Sequence, residues 1–347
     1  MVRVSEGGAA LRVRLTNVYG SAPLAVTGGT IGRSGSGASV NGLRPLTFGH
    51  ARSVIIPVGR EAASDAVLLP VRPLESVTIT LYFAGKTGSV TVHADSEATT
   101  YRAAGDHRSD ASGSAFGETS TSWYALSGVD VLDPSPRRDV VVAFGDSITD
   151  GAFSGVDLNA RYPDELAELT HGRFAVLNAG IGGNRVLNDS ECLGDRATKR
   201  FRADVLSQPH LRTVIVMEGI NDIGFPEFDS SFPCAQPNPV VTTAQLIAGH
   251  RELIRQAHAA GVRIIGGTLT PFKGSFYYTD AGEKTRSELN TWIRTSGEYD
   301  AVADFDAALA SPTDPTTLDP AYDSGDHLHP SAAGYHKMAL TLPTHTL

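Results

Sequence analysis

Val140-Val141-Val142-Ala143-Phe144-Gly145-Asp146-Ser147-Ile148-Thr149 is the stretch on which the fold of this 347-residue chain turns. Its first five residues are apolar without alternation. That is the pattern of a strand covered on both faces. Short apolar runs recur at Ala175–Leu177, Thr213–Met217, Val262–Ile265 and Ala301–Ala303. Helical patterns lie between them. The clearest covers Ala244–Ala260, where Leu246, Ile247, His250, Leu253, Ile254 and Ala257 recur at three-and-four spacing. Thr243 is its expected N-cap and Gly261 its expected C′ residue. Apolar strands alternating with helices predict a parallel sheet with helices on both faces. Ligands bind such sheets at the carboxyl ends of the strands.

Upstream the period changes to two. Leu11, Val13 and Leu15 alternate with Arg12, Arg14 and Thr16, and Val77, Ile79 and Leu81 with Thr78, Thr80 and Tyr82. Gly- and Ser-rich turns separate these runs. The pattern predicts an all-β sandwich, jelly-roll-like, with no fixed repeat. Asp133-Pro134-Ser135-Pro136-Arg137-Arg138 is Pro-rich punctuation. It divides the chain into an accessory domain at residues 1–133 and an α/β domain at residues 134–347.

Hydrophobic residues make up 41% and charged residues 19%, which excludes a disordered chain. The net charge of −9 gives no reason to expect nucleic acid or an anionic membrane surface as partner. No apolar run reaches the roughly 20 residues that span a bilayer. No apolar leader follows Met1. Cys192 and Cys234, both in loop-like segments, permit one disulfide; two free thiols are the other reading. No CxxC spacing supports a zinc site.

Four short motifs follow the apolar runs. Gly145-Asp146-Ser147-Ile148-Thr149 puts a Ser at a strand-to-helix turn, where the backbone N–H groups suit an oxyanion. Taken alone, Ser147 reads equally as a nucleophile or as a simple N-cap. The G-x-S-x-G elbow is absent. Asn178-Ala179-Gly180-Ile181-Gly182-Gly183-Asn184-Arg185 is by itself a flexible turn, but Gly183 could present its N–H to an oxyanion. Arg185 reads equally as a substrate contact or a solvated loop residue. In Glu218-Gly219-Ile220-Asn221-Asp222, Asn221 either aims its NH₂ at the same oxyanion or closes an Asx turn. In Asp326-His327-Leu328-His329-Pro330, Asp326 and His329 are three apart and would meet on one face of a helical turn. The carboxylate would then orient the imidazole, leaving its other nitrogen to take a proton from Ser147. A metal reading of Asp326, His327 and His329 lacks further ligands at recognisable spacing. Asp146 and Asp222 read as residues that hold their loops by hydrogen bonds.

These blocks, in this order, resemble the SGNH (GDSL) hydrolase superfamily over residues 138 to about 340. The resemblance implies a flavodoxin-like three-layer α/β/α fold. It implies a Ser147–His329–Asp326 triad and an oxyanion hole built from Ser147, Gly183 and Asn221. The whole chain, with Ala203-Asp204-Val205-Leu206 and Gln208-Pro209, is similar to a bacterial group of acetylxylan-esterase-like enzymes with an N-terminal β region. That likeness implies an acetylated carbohydrate as substrate, xylan or a related glycan, within the wider class of small-molecule and glycan esters, and a secreted location. The expected activity is a serine esterase acting on short acyl groups, needing no metal or organic cofactor. Its alternatives are a lipase or thioesterase on longer chains, and a carbohydrate-binding protein with an inert hydrolase domain.

Overall fold

A computed structural model describes residues 1–133 and 139–347; the Pro-rich punctuation at 134–138 lies outside the described residues. The chain forms two compact units, divided within that segment.

The first unit is β-rich. One four-stranded antiparallel sheet runs in the order Val2–Arg3, Ser76–Tyr82, Gly28–Ser34, Val40–Pro45. A second pairs Leu126–Leu132 with one edge of Gly8–Thr16, and both Glu61–Ala63 and Val67–Val71 with the other. Leu11, Val13 and Leu15 are fully buried and share one core with Ile31 and Val77 of the first sheet. The intervening Arg12 and Arg14 point outward to Asp130. Burying such a leucine or valine contributes about 1.5–3 kcal/mol.

The second unit is built on five parallel strands. They are β1 (Val140–Gly145), β2 (Ala175–Gly180), β3 (Leu211–Met217), β4 (Arg263–Gly267) and β5 (Ala301–Ala303). Their spatial order is β2-β1-β3-β4-β5, the flavodoxin-like order. Every residue of β1 is buried. This is why its sequence does not alternate. Helices α1 (Ser147–Asp150), α2 (Tyr162–Leu169), α3 (Ala197–Phe201), α4 (Ile220–Gly224), α5 (Thr243–Ala259), α6 (Asp280–Thr295), α7 (Phe305–Leu309) and α8 (Ala332–Thr341) connect and follow the strands. α2 and α7 pack on α8, while α3 and α6 pack on α5. With this strand order, the general right-handedness of parallel crossovers places these two groups on opposite faces of the sheet.

Some expected boundaries shift. β2 runs on through Asn178, Ala179 and Gly180, so the strand takes in the first three of the eight residues of the glycine-rich motif. Gly180 fits because a Cβ there would collide with the backbone nitrogen of Asp150. The N-cap of α5 is Thr242, not Thr243. The Thr242 hydroxyl accepts from the Gln245 N–H, and the Gln245 side chain accepts from the Thr242 N–H at 2.8 Å. That reciprocal box outcompetes a cap one residue later. Gly261 follows the helix in the left-handed region, as expected. No described helix is long and apolar enough to cross a membrane.

Candidate active site

β1 and β3 flank the point where the strand order reverses, and the loops beyond them carry Ser147 and Asn221. At the end of β1, Asp146 is the N-cap of α1: its Oδ1 accepts from the Ile148 N–H at 2.9 Å. Ser147 is therefore the first helical residue, and the N-cap reading for it falls. Its hydroxyl is at 2.8 Å from Nε2 of His329. His329 is nearly buried, and its Nδ1 is 2.6 Å from Oδ2 of Asp326.

The expectation of a helical turn from Asp326 to His329 is overturned. The segment is an irregular loop in which Gly325 and His327 both have positive φ. Pro330 disfavours helical backbone at His329. The carboxylate is instead held by its own loop: Oδ1 accepts from the N–H of Leu328 at 2.9 Å and of His329 at 2.8 Å, and from the Ser324 hydroxyl at 3.0 Å. Burial works against its charge, but the His329 ring and these backbone donors outweigh burial. The carboxyl is held well below the usual carboxylate range. His327 turns away and pairs with Asp323 at 2.6 Å. Among the described residues, no group of three or more His, Cys, Asp or Glu is placed to hold a metal ion.

Gly183 sits in the loop after β2 with φ of 73°, where a Cβ would also press on Leu193 at 2.6 Å. The Asn221 side chain is buried. Its Nδ2 donates to the Asn184 carbonyl at 3.0 Å, and its Oδ1 accepts from the Tyr277 hydroxyl at 3.4 Å. A carboxamide has two N–H donors, so one remains for a ligand.

The surrounding carboxyls are buried and perturbed. Burial pushes Asp146 up to about 6, against the Ile148 N–H and the charges of His329 and Arg200. Burial, then the neighbouring Asp146 charge, pushes Glu218 well above its ordinary value. Asp222 is pushed up to about 7 by burial, although it accepts from the N–H groups of Val186 and Leu187 at 2.7 and 3.0 Å. Asp146 and Asp222 thus hold their loops, as expected.

Arg185 fits neither of its two readings. It is buried over the Phe225 ring and donates to the carbonyls of Ala235, Pro237 and Asp189. It braces the segment that carries the Cys192–Cys234 disulfide, whose Cα atoms are 5.3 Å apart. Three residues near the site gave no sequence signal. Phe153, half exposed, lays its ring 5.3 Å from that of His329. Tyr277 touches Asn221 from 56 residues away. Arg200 lies beneath the loops, in α3, three residues before the stretch that carried the family likeness.

The model of the GDSL-like Lipase/Acylhydrolase family matches residues 143–337, more than half of the chain. No curated protein matches. Among solved structures, the chain is similar to a lipolytic protein of the G-D-S-L family from Desulfitobacterium hafniense. Identity is 20%, covering 60% of this chain and 100% of that one, with a TM-score of 0.46. A GDSL-like lipase from Bacteroides thetaiotaomicron is 19% identical, covering 60% and 87%, with a TM-score of 0.45. A variant of an acetyl xylan esterase from Geobacillus stearothermophilus is 24% identical, covering 58% and 91%, with a TM-score of 0.43.

Proposed function

As a member of the GDSL-like lipase/acylhydrolase family this chain is a carboxylic ester hydrolase, and we propose that it is a serine esterase for short acyl groups with Ser147 as nucleophile. The reading is carried by one observation: the unbroken line from the Ser147 hydroxyl through both ring nitrogens of His329 to Asp326. A serine hydroxyl is a poor nucleophile unless a base takes its proton. His329 Nε2 takes it as Ser147 attacks the ester carbonyl. The ionised Asp326 stabilises the imidazolium so formed. Negative charge grows on the carbonyl oxygen, and the N–H groups of Ser147 and Gly183 and the side chain of Asn221 receive it. His329 then protonates the leaving alcohol, and water repeats the cycle to free the acid and Ser147.

Likeness to the acetylxylan-esterase-like group supports deacetylation of xylan or a related glycan. The disulfide supports a secreted location. We read residues 1–133 as a jelly-roll-like accessory sandwich to the hydrolase domain at 134–347. A second reading, a longer acyl chain, is favoured by exposed Phe153, Val156 and Leu158 on the segment whose Phe153 touches His329.

The test is hydrolysis of p-nitrophenyl acetate at about pH 8, above the reference pKa of histidine. Ser147→Ala should lower kcat by at least ~10⁴-fold. Equal rates for mutant and wild type would remove Ser147 from the chemistry. A chain-length series of nitrophenyl esters then chooses between the acyl readings, a maximum at long chains favouring the second.

A further inference from the structure

We infer that Arg200 is the positioning residue of the oxyanion site, one guanidinium that holds the loops after β1, β2 and β3 in mutual register. This rests on the serine-esterase reading above. Arg200 is about 5% exposed and touches no substrate position; it acts through others. Its Nε donates to Oδ1 of Asn184 at 2.8 Å. Its Nη1 donates to the Ala179 carbonyl at 2.9 Å and to Asp204 at 3.0 Å. Its Nη2 donates to the Gly145 carbonyl at 2.9 Å and to Glu218 at 3.3 Å. The five N–H donors of a guanidinium are thereby all engaged. The plane rests on the Phe144 ring, 3.9 Å from its centroid.

The acceptors are what make the arrangement specific. Gly145 lies two residues before Ser147. Ala179 is the next-to-last residue of β2, and Asn184 directly follows Gly183. Glu218 follows β3 and leads into the helix of Asn221. Asn184 is also a relay: while its side chain accepts from Arg200, its carbonyl accepts from the Asn221 amide at 3.0 Å. The same residue thus fixes one neighbour of Gly183 and one of the two N–H groups of Asn221. Donors to a developing oxyanion work by being in place beforehand, and a misplacement of about 1 Å costs ~10²-fold in rate. Lysine would keep the charge but supply only a point donor in place of the planar fork.

The experiment measures kcat and KM for p-nitrophenyl acetate in Arg200→Lys, Asn221→Ala and the double variant, with Ser147→Ala alongside. We expect Arg200→Lys to lower kcat ~10²-fold with KM nearly unchanged. In the Asn221→Ala background, which already lacks one donor, the same change should cost much less. Arg286→Lys is the control: Arg286 is an equally buried arginine, bonded to Glu283, Asp306 and Leu269. It should lose stability and keep its kcat. A wild-type kcat in Arg200→Lys overturns the inference, as does full additivity with Asn221→Ala or an equal kcat loss in Arg286→Lys. Should Arg200→Lys not fold, Asn184→Ala replaces it, because it removes one acceptor of Arg200, together with the amide's bonds to the Leu193 and Asp195 carbonyls, while keeping the backbone carbonyl. There a kcat loss at constant KM supports the inference, and a wild-type kcat overturns it. If Ser147→Ala retains activity, the esterase reading itself falls, an outcome distinct from these.

Discussion

In the β-rich unit Arg12 and Arg14 reach Asp130 at the surface, and Arg102 meets Glu118 in the open. Glu97 is the one charged residue buried among those described there. The α/β unit buries Asp146, Asp150, Arg185, Arg200, Glu218, Asp222 and Arg286. Taking a charge out of water costs several kcal/mol per ion, and apolar replacements of buried pairs are often no less stable. Charge that is merely tolerated stays outside, as in the first unit. Charge gathered beneath the ends of β1, β2 and β3 lies where the proposed oxyanion site needs its backbone held rigid.

The contrast breaks most visibly at the proposed triad. Asp326→Asn leaves the loop shape nearly intact but favours the wrong tautomer of His329, and kcat should fall ~10⁴-fold. Steady-state kinetics on nitrophenyl acetate checks this. A fall of less than tenfold would show that the loop alone orients the base.

A smaller effect separates buried from exposed polar groups by pH. His250 is fully buried with its Nδ1 at 2.6 Å from the Tyr299 hydroxyl, and burial pushes its pKa down to about 4. The unfolded chain binds this proton near the ordinary value of 6.5. The stability that neutral His250 allows is therefore complete above about pH 6.5 and lost as pH falls toward 4. The loss amounts to about 3 kcal/mol. Asp146 and Asp222, raised to about 6 and 7, act in the opposite direction over much of that range. The measurement is thus a difference. Urea unfolding of wild type and His250→Gln should show the wild-type advantage shrinking from pH 7 to pH 4. An advantage constant with pH would mean that His250 titrates normally.

The smallest effect belongs to the surface. Arg12→Ala should change unfolding stability by less than about 1 kcal/mol, because its partner Asp130 is solvent-accessible. A larger loss would erase the distinction between the two units.

Legibility in the sequence followed how local each cause was. The parallel sheet was readable because β1 and β3 bury nearly every side chain, and the strand-end rule then pointed to Ser147, Gly183 and Asn221. The first unit's alternation was readable for the same reason, at Leu11, Val13 and Leu15. The pairing of Asp326 with His329 was read rightly and its backbone wrongly, because Pro330 and the left-handed residues around it favour a loop over a helix. Thr242 and Thr243 both satisfy cap preferences, and only the reach of Gln245 separates them. Arg200 was out of reach: its acceptors lie up to 55 residues away, and nothing in its neighbours' spacing marks it.

The Asp326 carboxylate is held by hydrogen bonds within residues 324 to 329, and one bond couples the imidazole to Ser147. On the proposed mechanism the base and the acid that orients it thus belong to one short loop. A loop that brings its own alignment asks of the rest of the fold only a hydroxyl at the right distance, here 2.8 Å away on Ser147. Divergence around the rim can then alter what enters the cleft while the proton-handling part is inherited whole.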